Sequence, residues 1–165
     1  MRCLLRHHAN SCHVPLAQHT YYSEIGLALA RSLVEKGALD IQDFQQKILD
    51  AFGFGKQRQR EQTRQTALQR LPIAGGSYSG YMPGVLRHVL PSLQAGVESA
   101  GPLSGTTDDG HSDSTINGAL VVLAARFAGS EGYQDKVQTV VRALCNTERA
   151  LSSAKAVASA LEAVI

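Results

Sequence analysis

Glu24-Ile25-Gly26-Leu27-Ala28-Leu29-Ala30-Arg31-Ser32-Leu33-Val34-Glu35-Lys36, followed by Gly37, is the stretch that decides the fold. Ile25, Leu29, Leu33 and Val34 recur at spacings of three and four and are expected to line one buried face of a helix. Gly37 supplies the stop, because only glycine enters the left-handed region that ends a helix without steric cost. No alternation of period two competes with this reading, so the segment predicts helix rather than strand.

The same periodicity continues outward from this segment. Asp40 is an N-cap for a second helix, in which Ile41, Phe44, Ile48 and Phe52 share one stripe up to Gly53 and Gly55. Gln59 to Leu71, rich in Gln and Arg, reads as helical up to Pro72, and Gly75-Gly76-Ser77-Tyr78-Ser79-Gly80 as a loop. Gly84 to Val97 places Val85, Val89, Leu90, Leu93 and Val97 at helical spacing, with Pro91 as a kink or early break. After a loop from Gly101 to Thr107, three more helices are expected. They span Ser114 to Phe127, Tyr133 to Cys145 and Glu148 to Val164. In the second of these Val137, Val140, Val141 and Leu144 face inward, and Asn146 or Thr147 caps the third. No strand pattern, repeat or low-complexity tract appears, so the fold class is all-α.

Composition narrows the function classes. The 165 residues are 44% hydrophobic and 18% charged, which supports one soluble core. A net charge of only +2 provides no field for a polyanion or a membrane surface. With no Trp and 5% aromatics there is little material for stacking nucleic-acid bases. The basic stretch of Lys56, Arg58, Arg60, Arg64 and Arg70 is broken by Glu61 and several Gln, and reads as a solvated helix face. No apolar run reaches the ~20 residues that span a bilayer. Cys3, Cys12 and Cys145 are too few and too odd for a disulfide framework, which points to a reducing compartment, the cytoplasm.

The N-terminus carries Arg2, Arg6 and four His before Tyr22, with no acidic residue. It reads either as a poorly ordered segment over residues 1–20 or as a mitochondrial or other organellar targeting sequence. Zinc binding by Cys3, His7, His8, Cys12, His13 and His19 is a weaker reading, since their spacing fits no recognised finger. At the other end, the last helix closes on Val164-Ile165 without a Gly stop or polar tail. This ending predicts continuation of the chain, cover by another subunit, or self-association through the apolar end.

The densest chemistry lies in Thr107-Asp108-Asp109-Gly110-His111-Ser112-Asp113-Ser114-Thr115-Ile116. Three carboxylates, an imidazole and several hydroxyls precede an expected helix N-terminus. Carboxylates attract cations, and first-turn N–H groups attract phosphate. A phosphorylated ligand handled with a divalent metal would use that combination. A solvated loop in which Asp113 caps the next helix accounts for the same residues without a ligand.

Two passages also resemble a known family. Tyr22-Ser23-Glu24 through Leu27-Ala28-Leu29-Ala30-Arg31-Ser32-Leu33 and Gly37, then Phe44 and Phe52-Gly53, resembles the ADP-ribosylglycohydrolase superfamily, closest to its J-type crystallin branch. Asp108-Asp109-Gly110-His111-Ser112-Asp113, the helix to Ala128-Gly129, Asp135-Lys136-Val137, Asn146-Thr147-Glu148 and an Ala-rich helix resemble the middle of the same family. The resemblance implies an orthogonal multi-helix bundle over residues 21–165, matching the N-terminal and middle part of that fold. It implies hydrolysis of an ADP-ribosyl glycosidic bond with Mg²⁺, acting on an ADP-ribose-type small molecule or an ADP-ribosylated protein.

By that resemblance Ser23 and Glu24 are metal ligands, and Glu24 and Asp109 are catalytic. Asp108, Gly110, His111, Ser112 and Asp113 contact substrate. Ile25 stands where the family has a second Asp, and it offers no oxygen to a hard cation. The late Asp-x-Asp-Thr motif of the family has no counterpart before Ile165, which implies a truncated, degenerate member. A helical binding or structural module of the crystallin type, without catalysis, is the alternative.

Overall fold

The computed structural model describes residues 20–53, 82–96, 105–107 and 116–165. These residues are predominantly helical. The helices are α1 (Tyr21–Lys36), α2 (Ile41–Phe52), α3 (Gly84–Ala95), α4 (Asn117–Phe127), α5 (Tyr133–Leu144) and α6 (Glu148–Glu162). The described residues contain no strand; one isolated parallel bridge joins Thr106 to Cys145.

α1 opens on Thr20, whose side chain accepts from the Ser23 amide, and closes on Gly37 at φ 72°. Its buried face is Ile25, Gly26, Ala28, Leu29, Ser32 and Leu33. Val34, expected inward, is instead 84% exposed. At 100° per residue Val34 lies nearly opposite the centre of the stripe, and adjacency to Leu33 does not bring it round. α2 starts at Asp40, which accepts from the Asp43 amide at 3.0 Å, and it buries Phe44, Ile48 and Phe52 completely. The Ser32 hydroxyl donates to the Asp40 carbonyl and so ties the α1–α2 turn together.

α3 continues through Pro91 to Ala95, so of the expected kink or early break the break does not occur. Pro91 lies on the exposed side of the helix, while Leu90 and Leu93 are buried. Proline deletes one backbone hydrogen bond, and on the outer face water can replace it. α4 begins at Asn117 rather than Ser114, with Ile116 at the cap position and no side-chain hydrogen bond there. Asp113, the expected cap, lies outside the described residues. α5 ends at Leu144, one residue before the expected Cys145, and α6 ends at Glu162 rather than Val164.

The core is continuous across all six helices. α1 packs on α4 and α2, α4 also on α5 and α6, and α5 on α2, α3 and α6. The four expected inward residues of α5, namely Val137, Val140, Val141 and Leu144, are all fully buried. Each such side chain contributes about 1.5–3 kcal/mol of transfer free energy.

The α1–α4 contact brings backbone against backbone. A Cβ added at Gly118 would stand 1.8 Å from the Tyr22 carbonyl oxygen, and one at Gly26 would stand 2.9 Å from the Gly118 carbonyl oxygen. Only glycine at both positions allows this approach.

Candidate functional site

The Gly118 contact joins the first turn of α1 to the first turn of α4, so the two helices begin side by side. This matters because the two sequence passages of chemical interest sit at these starts. Ser23 and Glu24 are in the first turn of α1. The acidic stretch immediately precedes α4 in the chain.

At the α1 start, the Thr20 hydroxyl oxygen accepts from the Ser23 amide at 3.4 Å and lies 3.2 Å from the Ser23 hydroxyl. The Glu24 amide donates to the Thr20 carbonyl at 3.0 Å. Ser23 is exposed and Glu24 half-buried, whereas Ile25 is fully buried in the core. The turn therefore offers one hydroxyl and one carboxylate. Two donors on adjacent helix positions, about 100° apart, fall short of a metal site built from protein ligands alone. Glu24 in the first helical turn also complements the helix dipole, which gives it a structural role without any ligand.

Of the other expected site residues, Asp108, Asp109, Gly110, His111, Ser112 and Asp113 lie outside the described residues. So do the Gly75–Gly80 loop, the Lys56–Arg70 stretch and the Cys and His residues before Thr20. Among the described residues no three His, Cys, Asp or Glu side chains cluster as a metal site would require.

The chain just before the acidic stretch is firmly held. The Gly105 amide donates to the Arg142 carbonyl at 3.0 Å, and the Thr106 amide to the Leu144 carbonyl at 3.1 Å. The Asn146 amide returns a bond to the Thr106 carbonyl at 2.8 Å. This three-bond clasp pins residues 105–107 to the α5–α6 junction.

Beside it, Arg142 donates to the Asn146 side-chain oxygen and to the Glu148 carboxylate, both at 3.0 Å. Thr147 caps α6 by accepting from the Ala150 amide at 3.1 Å, as one of the two expected caps. Asn146 thereby serves the junction, and Thr147 the helix start. Sequence reading missed both the clasp and the Gly26–Gly118 contact. The only available signal was a glycine within each apolar helix face, which costs helix propensity and so asks for a packing reason.

Asp135-Lys136-Val137 lies in the first turns of α5. The Asp135 carbonyl accepts from the Thr139 hydroxyl at 2.7 Å. Lys136 donates to the Glu131 carbonyl at 3.1 Å and stands 5.2 Å from the Phe127 ring centroid. Val137 is core. Among the described residues no helix is long and apolar enough to cross a membrane.

Comparison of the chain with protein-family models, with curated proteins and with solved structures gives no match.

Proposed function

We propose that the chain is an ADP-ribosylglycohydrolase-like helical domain whose ligand end is formed by the starts of α1 and α4. The observation that carries this reading is the backbone contact between Tyr22 and Gly118, which sets Ser23 and Glu24 beside the helix that the acidic stretch leads into. In this reading an ADP-ribose-type ligand places its phosphates and ribose hydroxyls at that end, with Gly110, His111, Ser112 and Asp113 as contacts. Ser23 and Glu24 would hold Mg²⁺, which would polarise the ribose and orient water. Glu24 or a loop carboxylate, Asp108 or Asp109, would accept the proton from that water. The substrate would be the free small molecule or an ADP-ribosylated protein.

A second reading rests on a different observation. Ile25 is fully buried, so the residue after Glu24 belongs to the core and not to a ligand set. This favours a non-catalytic binding or structural module.

Calorimetric titration of the chain with Mg²⁺ and ADP-ribose separates the two. The enzyme-type reading expects metal-dependent heat that disappears in the Glu24→Ala/Asp109→Ala double variant, followed by measurable hydrolysis. No heat at millimolar ligand, from a chain that still unfolds cooperatively, overturns it and leaves the module.

A further inference from the structure

We draw no further inference here: the strongest candidate, the open groove at the α1–α2 turn lined by Lys36, Leu39, Asp40 and Gln42, is a helix N-terminus whose cap is made by Asp40 itself, and no second feature among the described residues points to a ligand there.

Discussion

α1 and α4 start against one another, but their first turns are completed by different physics. At α1 a polar residue does the work, with the Thr20 side chain accepting from the Ser23 amide and the Thr20 carbonyl from the Glu24 amide. At α4 the cap position is Ile116, which is 1% exposed and makes no side-chain hydrogen bond. Among the described residues, burial of Ile116 holds the start of α4, and local hydrogen bonding holds the start of α1. A helix start held by the core tolerates no change in the buried residue, while one held by a surface hydroxyl can lose it cheaply. The two starts should therefore respond very differently to mutation.

Removing the buried residue should cost most. Ile116→Ala is expected to lower stability by about 3–4 kcal/mol, the sum of lost transfer energy and an unfilled cavity. Urea denaturation at constant slope would report it. A loss near that of a surface cap would end the distinction between the two starts.

The shared contact comes next. Gly118→Ala puts a methyl group into the Tyr22 carbonyl and is expected to cost about 2 kcal/mol, after overpacking is set against the better helix propensity of alanine. Gly26→Ala should cost less, since its added carbon meets its nearest atom at 2.9 Å rather than 1.8 Å. Equal midpoints for the two variants and the wild type would contradict the close approach.

Thr20→Ala should cost about 1 kcal/mol, the usual value of a lost N-cap. Because the Thr20 hydroxyl also neighbours the Ser23 hydroxyl, the same variant sharpens the functional question. If Ser23 binds metal, loss of Thr20 should weaken Mg²⁺ titration as well as lower the melting temperature.

The smallest effect is a control on the α5–α6 contact. The Tyr133 hydroxyl donates to the Ala158 carbonyl at 3.3 Å, between α5 and α6. Tyr133→Phe should cost less than about 1 kcal/mol at neutral pH, as a single long neutral hydrogen bond is worth. Burial, and then the nearby Glu162 carboxylate, push the Tyr133 phenol above its ordinary 10.0. As pH rises past 10.0 the unfolded chain ionises first, so stability present at neutral pH falls on the alkaline side. The Phe variant should lose less stability there than the wild type; parallel pH profiles would refute the assigned shift.

The helical class was readable because burial follows the 3.6-residue period in α2 and α5, where Phe44, Ile48, Val137 and Val141 all land inside. Val34 misled because it follows Leu33 directly, and one step along a helix turns a side chain by 100°. α1 begins at Tyr21, three residues before the Glu24 that opens the apolar stretch. Thr20 caps it, but Ser23 occupies the place where a capping box would show Glu or Gln, so the sequence signature was incomplete. The 105–107 clasp left no trace, since a single bridged residue has no alternation to detect. For the site, Ser23 and Glu24 stand out in the sequence through the family resemblance alone, and their neighbour across the Gly118 contact does not stand out at all. Close approach is a property of two segments, and either alone shows only a glycine. The remaining site residues, Asp108 to Asp113, fall outside the described residues.

The Tyr22–Gly118 contact also dictates an order of events as the chain is made. α1 and α2 leave the ribosome before α4 and can pair through their own short turn. The face of α1 that receives α4 stays uncovered until residues beyond 118 have been synthesised. Closing so large a loop adds only modestly to the entropic cost, because that cost grows with the logarithm of length. The delay is therefore one of synthesis rather than thermodynamics. During it, Gly26 and the apolar side chains beside it form an exposed strip that a chaperone, or a neighbouring nascent chain, would meet before α4 does.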